Sequence, residues 1–591
     1  MTISADNKCI QSMTFKNMPM SFIGTVTWSE NNGPDNKFLD LYFPASQSVK
    51  WLTDDFRFLS PIKNRGISSI TPAFILIHVC DDLYLGILIN GIVKGIWLNS
   101  KLMRIYYAHP KATPYPHQIS ENQLNQNTDQ TYITGAIRSR KNQGWILPYR
   151  FRHAHRAAFV ITDHADFDTP AVYKALMGNE KKIGFADAGI RLSKSVFITK
   201  GYGRSNCLST LDDTYWLSLI NTWQQKKQIE FGLHMTRPLP ATREEMIQDL
   251  TSVLFLKPKF WIDHGVDIPQ AIWREGGRKE SMYYIWDILL KNGITCYWNY
   301  KDLFDDAPGG MLNFLSLANH HIRPDIVRLL SFKGIYEPVA WKSWLNRGLD
   351  PSVSSSIRSL FQSFRKNNSI KEQPDFFKSL KMIIYSLKNC NMQQAFFVTD
   401  DEGYLSSVYS SPNKFSKNCP RFFSSQLIRE PVIAWTNKNL SCLIKEFGTH
   451  IAHTYLGQPK KYSLVFKQGD KYQLSQEFSN IIKTIKKFVI SGKLWTPGIT
   501  DLTESLLLAR NVRIVMQENQ DIINWEGGGA GISLQIAGNG LPVCEIVPQL
   551  ICYDNTRILY FPTAYANKAI KFCWPRNTHQ TFNLQICKGS E

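Results

Sequence analysis

Asp163, His164, Asp166 and Asp168 arrive within six positions, directly after the apolar run Ala157 to Ile161 and Thr162. Carboxylates exchange protons, and carboxylates with neutral imidazoles bind divalent ions, so such a cluster suits acid–base or hydrolytic metal chemistry. Taken alone it would equally suit a capped loop, because Asp is a common N-cap and Thr169-Pro170 suits a helix start. The arrangement recurs, however. His234 follows the short apolar stretch 229–233, and Asp263 and His264 follow 259–262. Three separate runs thus present His or Asp at the same end, a position that scattered core histidines would not share.

Those runs are short, apolar and without alternation, as strands buried on both faces of a parallel sheet are. In parallel β/α barrels the C-terminal strand ends are where chemistry is built. From Arg156 onward the chain alternates between strands and helices. Helices are expected at 170–177, at 213–227, after a capping box of Thr242 and Glu245, and at 282–291. Further strands are expected at 195–199 and 294–299. Residues 305–425 break the rhythm and read as an insertion with basic helices near 325–330, 355–364 and 375–387. The alternation returns with 432–435, a helix at 440–447, a strand at 449–456, a basic helix at 478–490, a strand at 493–495 and a helix at 502–508. Residues 1–150 read instead as a β-rich domain, with strands at 73–79, 83–89 and 92–98 and a hairpin at Asn90-Gly91. A long Pro/Gln/Asn-rich loop covers 110–130. Residues 512–591 read as a small C-terminal β domain. Its glycine run at 527–531 is a hairpin tip, since no Lys-Ser/Thr follows to make a phosphate loop. The fold class expected is α/β: a distorted β/α barrel over 151–511 with a helical insertion, flanked by two β-rich domains.

Bulk composition narrows the partners. The 591 residues are too many for one core. The hydrophobic and charged fractions, 43% and 20%, are those of a soluble globular chain. A net charge of +19 attracts acidic polysaccharide, nucleic acid or anionic membrane. The basic residues are interleaved with apolar ones and form no nucleic-acid recognition motif, so nucleic acid is disfavoured. The eleven cysteines are odd in number and lack a CxxC, which argues against a disulfide framework or zinc ribbon and fits a reducing compartment. Residues 1–20 lack a signal-peptide pattern, and the apolar region 74–98 is broken by Asp81-Asp82 and Asn90-Gly91. No membrane span and a cytoplasmic location are therefore expected.

Thr162-Asp163-His164, Gly232-Leu233-His234 and Trp261-Ile262-Asp263-His264 resemble the motifs of the polysaccharide deacetylase superfamily, over residues 155–510. That family carries Thr-Phe-Asp-Asp on a barrel of about seven β/α units. The resemblance implies Asp163 as catalytic base and His164 as a metal ligand in place of the second Asp. It implies His234 as a second ligand. Pro238 stands where the second His of that motif belongs, and His264 could replace it. His453, at the end of Thr449–His453, would be the general acid. The implied cofactor is a divalent metal, zinc above all. The implied substrate is a polysaccharide or glycan, which the basic charge suggests is acidic. On the substrate side Arg237 and Arg274 could hold an acidic sugar or simply form surface ion pairs. Trp273 could stack on a sugar ring. Asp166 is a substrate-side candidate that could also brace the ligands by hydrogen bonding. The function expected is metal-dependent removal of N- or O-acetyl groups from a glycan. The alternatives are a glycosidase-like hydrolase pairing Asp163 with Asp166 or Asp263, and a non-catalytic carbohydrate-binding protein with a degenerate site.

Overall fold

The computed structural model describes residues 143–178, 183–200, 207–264, 268–277, 281–305 and, with short breaks, 421–574, together with the backbone of strands between 12 and 139 and at Thr581–Cys587. The helices expected at 325–330, 355–364 and 375–387, the 110–130 loop and most of the 527–531 glycine run lie outside the described residues.

β1 (Ala157–Asp163) is buried at every position, which is why its sequence shows no alternation. The strands that follow are β2 (Leu192–Val196), β3 (Ile229–Leu233), β4 (Phe260–Trp261), β5 (Cys296–Asp305), β6 (Arg421–Leu427) and β7 (Thr449–Thr454). Each pairs in parallel with the next, and β7 pairs back onto β1. The described fold is thus mixed α/β, with a curled parallel sheet of seven strands whose C-terminal ends gather at one end. A short strand, β8 (Leu494–Trp495), adds to the start of β1. β6 begins inside the stretch expected as insertion and runs two residues past it. Residues 432–435, expected as a strand, instead lie in a helical turn at Pro431–Ala434 and its cap. Pro431 presets a helical φ and offers no N–H to a ladder, so a turn of helix wins there.

Local chemistry sets the helix starts. α1 (Pro170–Met177) begins with Pro170 and is capped by Thr169, which accepts from the Val172 N–H. α2 (Thr214–Gln225) is capped by Asp213. α3 (Arg243–Val253) carries the full capping box of Thr242 and Glu245. α4 (Trp286–Lys291), α5 (Asn437–Lys445), α6 (Gln476–Ile490) and α7 (Ile499–Arg510) complete the set used below.

The sheet has two differently occupied faces. Ala157, Phe159 and Ile161 of β1 pack with the surrounding helices, against residues such as Tyr173, Trp216, Leu440 and Phe478. Ala158 and Val160 pack instead with Phe260, Cys296, Phe423 and Ile451 of the other strands and with Ile499, Leu502 and Leu506 of α7. The first set is the outer face and the second the inner face.

The β-rich stretches expected at opposite ends of the chain meet in space. Gly144–Pro148 pairs with Ile532–Gly538, and Gln130–Ser139 pairs with Thr581–Cys587. Phe74, Trp145, Leu534, Phe561 and Phe572 share one core. No helix among the described residues is long and apolar enough to cross a membrane.

Candidate metal centre

Successive side chains of a strand point to opposite faces, so position within each strand decides what enters the ring. Ile229, Phe231 and Leu233 of β3 lie on the outer face, and His234 therefore follows on the inner parity. Phe260 and Ile262 are inner, and so His264 shares their parity. On β7, Ile451 is inner and Ala452 outer, which turns His453 inward. On β1 the same alternation sends His164 inward and Asp163 outward. Four imidazoles from β1, β3, β4 and β7 thus converge at one end, and the turn after β1 adds Asp166.

His234 Nε2 lies 3.3 Å from Asp166 Oδ2 and 3.0 Å from His264 Nδ1. Asp166 Oδ2 lies 3.7 Å from His264 Nδ1. The donor atoms of His164, Asp166 and His234 all fall within 4.8 Å of one another. A tetrahedral ion with bonds of about 2.0–2.2 Å keeps its ligands about 3.3–3.6 Å apart. The buried His164–Asp166–His234 group could therefore hold a metal ion. One orphaned atom fits that use. His164 Nε2 is buried and has no hydrogen-bond partner among the described residues. A buried polar atom left unmet is costly, and coordination would meet it.

Electrostatics favour the ligand forms. Burial, reinforced by the neighbouring imidazoles and the Lys194 ammonium, holds His164 well below the ordinary histidine range. Burial likewise lowers His234 against the pull of Asp166. For Asp166, burial acts upward, but hydrogen bonding and charge from His234 outweigh it and the carboxyl ends below its usual range. Neutral imidazoles beside an ionised carboxylate are what a metal requires. The His453 ring stacks on His164 with centroids 3.7 Å apart, and Trp298 packs edge-on against both.

Asp163 has different company. Its Oδ2 accepts from Lys194 Nζ at 2.7 Å and from the Tyr173 hydroxyl. Its Oδ1 accepts from Thr454 Oγ1 at 2.9 Å and from the Leu456 N–H at 2.8 Å. Four donors saturate the carboxylate between the sheet and α1. Lys194 also donates to the His164 carbonyl at 2.9 Å and to Asp168 Oδ1 at 3.0 Å. Burial would lower Lys194, but the two carboxylates outweigh it and hold the ammonium above its usual range. Lys194 and Tyr173 escaped the sequence reading; the available signal was a lysine in the middle of a buried strand.

The remaining candidates are dispersed. Arg237 gives its guanidinium to Asp249, at 2.7 and 2.8 Å, and to Glu245 at 3.1 Å, both on α3. Asp263 Oδ1 accepts from the Trp261 indole at 2.7 Å and from the Ile272 N–H at 3.0 Å. The side chains of Trp273 and Arg274 lie outside the described residues. Of the seven non-glycine residues with positive φ among the described residues, two, Phe167 (φ 67°) and Met235 (φ 59°), directly follow Asp166 and His234. Such strain costs of order 1–3 kcal/mol and gathers at functional sites.

Comparison with protein-family models, with curated proteins and with solved structures found no match to this chain.

Proposed function

We propose that this chain is a metal-dependent hydrolase that removes N- or O-acyl groups from a glycan, on a barrel of polysaccharide deacetylase type. The observation that carries the reading is the convergence of four groups from three strand ends, His164 and Asp166 after β1, His234 after β3 and His264 after β4, with Asp166, His234 and His264 in contact at 3.0, 3.3 and 3.7 Å and His164 within 4.8 Å of Asp166 and His234. The three imidazoles and one carboxylate are the ligand types of a hydrolytic zinc site. A bound divalent ion would polarise the acyl carbonyl and lower the pKa of coordinated water from 15.7 to about 7.

The chain's own groups supply the rest. His453 stands against His164 on the inner face and is the group we assign to proton exchange with the attacking water and the leaving group. Asp163 is the residue the family resemblance would make the base. With both oxygens saturated, it serves better as counter-ion to Lys194. The same ion pairing disfavours a glycosidase that uses Asp163 as one of its two carboxylates. The +19 charge supports an acidic glycan over a neutral one.

The deciding experiment combines metal analysis of the purified chain with acetate release from acetylated chito-oligosaccharide and acetylated uronate polymers. About one zinc per chain and chelator-sensitive acetate release are expected. A metal-free protein that releases no acetate from any of them would end this reading.

A further inference from the structure

We infer that Lys194 is a positioning residue of the metal centre, acting from the outer face of the sheet. The inference rests on the metal reading of the site but not on any substrate. Lys194 is buried in mid-β2, and it is the register partner of Asp163 on β1. Side chains opposed in this way share a face, so the ammonium meets the Asp163 carboxylate directly. Its other two donors reach over the strand end to the His164 carbonyl and to Asp168. One ammonium thus clamps both ends of the segment 163–168 and the peptide between His164 and Ala165. The residues inside the clamp include His164 and Asp166, two members of the candidate metal group.

Other features fix the same turn. Phe167 takes a left-handed conformation, and the Asp168 N–H closes back on the Ala165 carbonyl at 3.4 Å. Gly457 lies against the turn so closely that a β-carbon there would stand 2.8 Å from the Phe167 carbonyl group. A turn of this shape carries Asp166 from the end of β1 round to His234. Without the clamp, Asp163 and Asp168 would repel one another across its mouth.

The test measures Zn2+ affinity by chelator competition, alongside thermal unfolding, for three variants. Lys194→Met removes the clamp. Lys194→Met combined with Asp163→Asn also removes one of the two carboxylate charges left unpaired, which helps to separate fold stability from positioning. Lys194→Arg keeps the charge, but its planar fork cannot direct donors to three acceptors as an ammonium does. Zinc affinity should fall by about 10- to 100-fold in every folded variant, including a double variant whose melting temperature has recovered. A purely structural lysine would give wild-type zinc affinity once stability is restored, and that result would overturn the inference. Should both Met variants fail to fold, wild-type zinc affinity in Lys194→Arg would overturn it equally. A wild-type chain that takes up no zinc would overturn the metal reading and this inference with it. Normal uptake by folded Lys194 variants would overturn this inference alone.

Discussion

The imidazoles of His164 and His453 lie face to face, 3.7 Å between centroids and 14° between planes. They come from β1 and β7, which are adjacent in the sheet, and Thr162 is the register partner of His453. One ring belongs to the candidate metal group, and the other is stacked directly beside it. Replacing His453 by Ala should lower turnover by about two to four orders of magnitude, the usual worth of a positioned acid or base. Zinc content should stay at the wild-type level. Loss of zinc in step with activity would make His453 a ligand instead.

His234 and Asp166 should behave as ligands. His234→Ala and Asp166→Asn are each expected to strip the metal to substoichiometric levels, measured by mass spectrometry after gel filtration. The sheet should keep its far-ultraviolet circular dichroism. Full zinc occupancy in both variants would show that the ion sits elsewhere.

Asp163 should be a stability residue. In Asp163→Asn one acceptor oxygen becomes an NH2 that meets donors whichever way the amide turns, and a buried ammonium loses a counter-ion. Breaking a buried pair in this way costs about 3–5 kcal/mol. Urea denaturation of the metal-free variant should register that loss. A midpoint unchanged from wild type would remove Asp163 from the structural role assigned to it.

Stability of the metal-free chain should fall with acid in a defined window. Burial holds His164 and His234 below the ordinary histidine value of 6.5. Below that value the unfolded chain binds protons that the folded chain refuses, so stability rises with pH there. The contribution is complete above 6.5 and is lost as pH falls below it. Denaturant midpoints in chelator at pH 7.5, 6.5 and 5.5 should decline accordingly, with a shallower decline for His164→Asn and His234→Gln. Identical slopes for wild type and variants would mean that these rings do not titrate as described.

Much of this was legible in the chain. The unbroken apolar run of β1, the Thr169-Pro170 start of α1 and the Thr242/Glu245 capping box are local signals, and each shaped the segment that contains it. His164, His234 and His264 were visible as strand-end groups because strand ends are marked by composition. What composition could not show was parity. β1 is buried on both faces, so nothing in Ala157–Asp163 distinguishes inward from outward positions. Only the closed pairing of the strands turned His164 toward the other imidazoles and Asp163 toward α1. Register was equally hidden, because the 31 residues from Asp163 to Lys194 leave no local mark of their pairing. The same holds for Trp145 and Ala537, partners across nearly 400 residues in a sheet that draws strands from both ends of the chain. Sequence determined most of the strands and helices around the site, the helical turn at Pro431–Ala434 excepted, because those preferences are set largely by near neighbours. Tertiary structure decided which carboxylate joined the histidines, because that depends on which face of a doubly buried strand meets the inside of the ring.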